Sequence, residues 1–110
     1  MRRLPPALAA AATPRILELL SRLDASPGRV LELGFAGIHA RPLELAGWEV
    51  VVVETDPLQA ERARQRGARV VETPSGHFDA VVGPSGADLT GIDVSKIVFV
   101  DERGRASMSP

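Results

Sequence analysis

A mostly parallel α/β sheet of about five strands with flanking helices is the fold class this sequence predicts. Three observations predict it. The run "EVVVVE" (Glu49 to Glu54) is continuously apolar between its acidic ends, as in a strand covered on both faces. Strand-like and helix-like runs alternate through the middle of the chain, which argues for βαβ units with right-handed crossovers. A glycine turn at "LELGFAG" separates the first strand from the helix after it. The fold is therefore read as compact and Rossmann-like.

The elements follow in order. "PPALAAAA" is either a short helix or a loose arm, because alanine supplies helix propensity but little apolar area. "TPRILELLSRLDASPG" is a helix that Thr13 can cap, with Pro14 in its first turn. Its stripe of Ile16, Leu17, Leu19, Leu20 and Leu23 is expected to pack on the sheet or on a second subunit. Asp24 to Gly28 breaks the pattern. "RVLEL" is the first strand. "HARPLELAG" is a helix with Pro42 in its first turn or at a kink. After the "EVVVVE" strand, Asp56 caps a third helix, Pro57 opens it and Gly67 ends it. Strands are expected around 30–33, 50–54, 69–71, 79–82 and 97–100.

The 110 residues read as one domain, with a possible loose arm over 1–12 and a loose tail over 103–110 in preference to a terminal hairpin. One connection is tight. Only "ETPSGH" separates Val71 from Phe78, yet in the strand order 3-2-1-4-5 it must pass two strands. That path is about 20 Å, which six or seven extended residues just span. The connection is then straight and without a helix, or the third strand is very short.

Composition narrows the chemistry. With 45% hydrophobic residues, 25% charged residues and a net charge of -1, the chain is an ordinary globule with no strong field toward nucleic acid or membrane. No cysteine is present, which excludes disulfides, a thiol nucleophile and thiolate-bound metals. The opening "MRRLPPALAAAATP" is too weakly apolar and too proline-interrupted for an export signal, so a cytoplasmic location is expected. No stretch reaches the roughly 18 apolar residues of a membrane span.

The residues that carry chemistry sit at the ends of the first two strands. Gly34 follows the first strand directly and permits a sharp turn close to a ligand. Glu54 ends the second strand, where a carboxylate can accept hydrogen bonds from both hydroxyls of a ribose. The full G-x-G-x-x-G fingerprint is absent, since Ala36 lies between Gly34 and Gly37. Glu32 adds a carboxylate just before the turn. It would be awkward beneath a pyrophosphate, and easier beside an amine-bearing ligand or bonded to loop amides. This favours S-adenosylmethionine over NAD or FAD.

These residues resemble the start of the class I S-adenosylmethionine-dependent methyltransferase family, over roughly Leu17 to Asp101. The family pattern is E/D-x-G-x-G-x-G, then an acid at the end of the second strand. Glu32 and Gly34 match its opening, Ala36 falls at the second glycine, and Gly37 takes the turning role in a loop about one residue shorter. Glu54 matches the ribose-binding acid, and "ETDP" resembles the acidic-x-x-Pro junction. The resemblance implies a cofactor site that also includes Phe35 and Thr55, with Glu72 or Thr73 at the adenine edge and Gly83 at the exit of the fourth strand. "Gly83-Pro84-Ser85-Gly86" departs from the family's amino-methylating N/D-P-P-Y/F motif. The chain is also similar to small, uncharacterised Rossmann-like proteins, a likeness that predicts fold and no function.

Other residues have ordinary explanations. His39 suits capping or exposed solvation, and His77 lies toward the opposite sheet edge; two separated histidines are a poor metal signal, and no metal site is expected. Trp48 suits a helix–sheet edge. Arg62, Arg64, Arg66 and Arg69 read as a solvated basic patch, with weak support for nucleic acid. Ser85 lies outside G-x-S-x-G, so a serine hydrolase is rejected. The leading reading is a nucleoside-binding, methyltransferase-like transferase of unknown acceptor and catalytic base, with a homodimer preferred. The alternatives are a non-catalytic binding or interaction module and an NAD-binding enzyme.

Overall fold

The computed structural model describes residues 3–109. Helices α1 (Pro6–Ala11) and α2 (Thr13–Leu20) precede β1 (Arg29–Leu33), α3 (Ala40–Leu45), β2 (Glu49–Val53) and α4 (Pro57–Gln65). Four strands follow: β3 (Val70–Val71), β4 (His77–Pro84), β5 (Asp93–Val100) and β6 (Ala106–Met108). They form one six-stranded sheet in the order β3-β2-β1-β4-β5-β6. All neighbours are parallel except β5 and β6.

The expected central strands are all present. The tail expected over 103–110 differs, because Ala106–Met108 pairs antiparallel with Val98–Val100. Its sequence has no strand pattern of its own; the exposed backbone of β5 supplies the partner groups. Strands β4 and β5 are also longer than expected, since their polar N-terminal residues continue the ladder from His77↔Asp93. The tight connection behaves as the distances require. Residues 72–76 contain no helix, and β3 has only two residues.

Alternate strand positions face two different environments. Val30, Val50, Val52, Ala80, Val82, Val98 and Val100 join Ala9, Ile16, Leu20, Leu43 and Ala63 in one core, so α1, α2, α3 and α4 all contribute to it. Burying each large aliphatic side chain there stabilises the fold by about 1.5–3 kcal/mol. The second cluster holds Leu31, Val51, Phe78 and Val81. Among the described residues no helical side chain joins it; Leu89 and Ile92 of the eight-residue link between β4 and β5 do. The expectation of cover on both faces of β2 therefore holds, but helices supply only one side.

Helix α2 buries Ile16, Leu19 and Leu20 against its own sheet. That removes the leucine stripe as an argument for a homodimer. Thr13 is not a cap. Ala12 is already helical, and its carbonyl accepts the Ile16 N–H at 3.0 Å, so α1 runs almost directly into α2. Asp56 caps α4 as expected, accepting the Leu58 N–H at 2.9 Å. Gly67 beyond that helix takes φ 82, the left-handed conformation of a C-terminal stop. No helix among the described residues is long and apolar enough to cross a membrane.

Candidate functional site

The parallel order brings the C-terminal ends of β1, β2 and β4 to one edge of the sheet. The chain leaves β1 at Gly34 (φ 74), turns through Ala36 (φ 52) and Gly37 (φ 75), and enters α3. Ala36 thus adopts the left-handed conformation that its glycine-like position demands. A Cβ on Gly34 would lie 3.3 Å from Pro84 Cδ. One on Gly37 would lie 3.1 Å from Ala63 Cβ and 3.2 Å from its Cα. The loop is therefore wedged between β4 and α4.

Two carboxylates hold this loop. Glu32, fully buried, accepts the Gly37 N–H on Oε1 at 2.6 Å and the His39 N–H on Oε2 at 2.9 Å. Its position answers the ambiguity left by the sequence: both oxygens serve loop amides. Burial pushes the Glu32 carboxyl up to about 7, against the opposing pull of those two bonds. Glu54 lies at the end of β2, with its side chain 2% exposed. It accepts the Ala36 N–H on Oε2 at 2.8 Å.

Sequence reasoning missed Arg3. Its Nη1 donates to the Gly34 carbonyl at 2.8 Å and to Glu54 Oε2 at 3.1 Å, while Nη2 donates to Glu54 Oε1 at 2.9 Å. The bond to Glu54 raises the Arg3 pKa above its ordinary value. Nothing in the composition of the N-terminal arm marks this contact, because it spans 51 residues of sequence. Arg66 was read as part of a solvated patch, but its Nη1 donates to the Ala36 carbonyl at 2.6 Å.

His39 also departs from expectation. It is fully buried, 2.8 Å from Thr13 Oγ1 through Nδ1, and edge-on to Phe35 with ring centroids 5.0 Å apart. Among the described residues, its Nε2 is left without a hydrogen-bond partner. Burial lowers its pKa to about 4, so the ring is neutral near pH 7. It ties α2 to the loop.

The other sequence-predicted positions are dispersed along the edge. Thr55, Glu72 and Thr73 are exposed beyond β2 and β3, while Gly83 is buried in β4 with room for a Cβ near Ala87 and Leu33. His77 lies at the N-terminal end of β4, away from the site. It sits between Asp93 Oδ1 (3.0 Å from Nδ1) and Ser95 Oγ (2.9 Å from Nε2). All three residues are exposed, so this is a solvated hydrogen-bond chain on the surface.

Solved structures share this architecture. DesVI of Streptomyces venezuelae superposes with a TM-score of 0.63 at 17% identity, over 84% of this chain and 50% of that one. The glycopeptide N-methyltransferase MtfA, complexed with S-adenosyl-L-methionine, gives 0.60 at 21% identity over 80% and 53%. The sugar N-methyltransferase KedS8 from Streptoalloteichus gives 0.59 at 17% identity over 88% and 49%. The chain has a class I methyltransferase-like fold. No protein-family model matches it, and no curated protein gives a significant match. This methyltransferase-like chain spans about half the length of these three structures.

Space at the edge is unevenly distributed. Beside Gly34, Phe35 and Ala36, a cavity of about 30 Å³ is closed in part by Arg3, Leu4 and Ala9. That volume suits a water rather than a nucleoside, whose pockets are typically about 300–1,000 Å³. A larger groove of about 1030 Å³ opens next to it, between the N-terminal arm and the β5–β6 turn. Leu8, Phe35, Pro84 and Asp101 line it, and Arg3 stands between the two spaces.

Proposed function

We infer that this methyltransferase-like chain binds S-adenosylmethionine, or a closely related nucleoside, at the C-terminal edge of β1 and β2. The observation that carries the reading is Glu54: an almost fully buried carboxylate at the end of β2, directed at the turn after β1. Its two oxygens suit the two hydroxyls of a ribose. Gly34, Phe35, Ala36 and Gly37 would follow the amino-acid portion of the ligand, with Glu32 holding the loop in shape. Thr55, Glu72 and Thr73 would border the nucleoside, and Gly83 the acceptor side.

When bound, S-adenosylmethionine supplies an electrophilic methyl group to an acceptor aligned opposite its sulfur. The chain's own contribution would be positioning and exclusion of water. No side chain is assigned as general base, and the acceptor is open. The second reading is a non-catalytic binding module. It is favoured by the sheet face that carries only the β4–β5 link.

Titration calorimetry with S-adenosylhomocysteine tests the reading. The parent is expected to bind it and to bind NAD little. In an R3A background, where Arg3 no longer occupies the carboxylate, E54A is expected to bind S-adenosylhomocysteine at least tenfold more weakly than R3A alone, because one lost net contribution of about 1.4 kcal/mol already gives that factor. The substitution also strips Ala36 N–H of its acceptor, so E54Q serves as a second variant and circular dichroism checks both folds. Equal affinity in R3A and in both folded double variants, R3A/E54A and R3A/E54Q, would reject the site. No binding by the folded parent or by folded R3A would favour the non-catalytic module.

A further inference from the structure

We propose that the N-terminal arm is a latch on the nucleoside site, with the Arg3 guanidinium occupying the carboxylate that a ribose would use. The proposal rests on the reading of Glu54 given above and adds a means of regulating it.

The contact has the geometry of an occupant. Arg3 presents both terminal nitrogens to the two oxygens of Glu54, at 2.9 and 3.1 Å, and also caps the Gly34 carbonyl at 2.8 Å. With Ala36 N–H on Oε2, Glu54 accepts three hydrogen bonds. A ribose diol needs the two outward-facing acceptor positions, and the fork of the guanidinium covers both. The small cavity beside Ala36 agrees, because about 30 Å³ holds no nucleoside and Arg3 lines both it and the larger groove next to it. Arg3 and a ribose therefore compete for one carboxylate.

The arm is built to open without unfolding the domain. Ala9 and Ala12 bury α1 and its junction in the core. The β5–β6 turn approaches closely, since a Cβ on Gly104 would meet the Leu8 carbonyl oxygen at 2.8 Å. Arg3 to Pro5 lie before that anchored helix, and the Arg3 side chain is 41% exposed. The anchor keeps the guanidinium at high local concentration beside Glu54. Release breaks the contacts of one half-exposed side chain and joins the small cavity to the neighbouring groove that Arg3 also lines. Because one partner is partly solvated, added salt weakens the closed state.

The test compares S-adenosylhomocysteine binding to the parent, R3A and R3K by calorimetry at low and moderate ionic strength. A latch closed about 90% of the time reduces apparent affinity about tenfold. R3A is thus expected to bind about tenfold more tightly than the parent. R3K, which has a point charge and no fork, should fall between them. Moderate salt should bring parent affinity toward that of R3A. Backbone relaxation supplies the second readout: the NMR order parameter of the Leu4 amide should fall in R3A, and in the parent when S-adenosylhomocysteine is added. Measurable and equal affinities for parent and R3A overturn the latch while leaving the nucleoside site standing. No binding by either folded protein overturns the nucleoside reading and the latch with it. An unchanged Leu4 order parameter on ligand addition also overturns the latch.

Discussion

Replacing Glu32 with glutamine is expected to make stability rise more steeply with pH than in the parent between about pH 4.5 and 7. Two buried groups oppose each other in the parent. Glu32 has a folded pKa of about 7, above its ordinary 4.5, because burial disfavours its charge. Its stabilising contribution is full below about pH 4.5 and is lost as pH rises through about 7. His39 has a folded pKa of about 4, below its ordinary 6.5, for the same reason. Its contribution is present above about pH 6.5 and is lost as pH falls through about 4. Each displacement corresponds to about 3 kcal/mol over its window, and the windows overlap with opposite signs.

E32Q removes one member of this pair. An amide NH2 must then face either the Gly37 N–H or the His39 N–H, at a cost of about 1–3 kcal/mol throughout the range. The His39 term is common to both proteins, so losing the Glu32 term lets the variant gain about 3 kcal/mol on the parent between about pH 4.5 and pH 7. Urea unfolding at a series of pH values reads this difference, and other carboxylates largely cancel between the two proteins. Parallel profiles for parent and E32Q would sink the assignment of Glu32 as the opposing group.

The second large effect is expected from Gly37→Ala. Gly37 has φ 75, where an L side chain costs roughly 1–2 kcal/mol. The added Cβ would also lie 3.1–3.2 Å from Ala63 Cβ, Ala63 Cα and Ala68 Cβ. Two of those atoms are short side chains and one is backbone, so none can swing away, and α4 must shift. Overpacking of this kind costs about 1–3 kcal/mol. The variant should lose roughly 2–4 kcal/mol, which lowers the melting temperature on the order of 10–20 °C for a domain of this size. A melting temperature within about 2 °C of the parent would show that the loop is not wedged against α4.

The legible parts of the sequence were those where local chemistry and tertiary environment agree. Val50 to Val53 are apolar because both faces of β2 are covered, and Asp56–Pro57 starts α4 by a local hydrogen bond. Gly34 and Glu54 were found because strand ends and spacing alone bring them to one edge. The missed features depend on distant partners. Ala106–Met108 is a strand only because β5 offers an edge. His39 reads as a surface residue until Phe35 and Thr13 enclose it. Arg3 has no local pattern linking it to Glu54. The one-sided helix cover was also hidden, because an apolar strand does not reveal whether a helix or a loop covers it.

The position of β1 between β2 and β4 has a consequence for how the chain folds. Val30 pairs with Val50 across a short βαβ loop but with Ala80 across a much longer one. Closing the longer loop costs about 0.8 kcal/mol more in chain entropy. Its joints are the Arg29 N–H on Asp79 Oδ2, 50 residues apart, and the Arg29 guanidinium 4.2 Å above the Phe78 ring. The β1–α3–β2 segment should therefore be organised in the folding transition state, with β4 and β5 docking on the downhill side. Val51→Ala is expected to slow folding, giving a φ-value above about 0.5, whereas Val81→Ala should chiefly accelerate unfolding. The opposite ranking would place the nucleus at the β4–β5 pair. Both halves of the sheet are closed by local connections, and the long-range β1–β4 seam completes it.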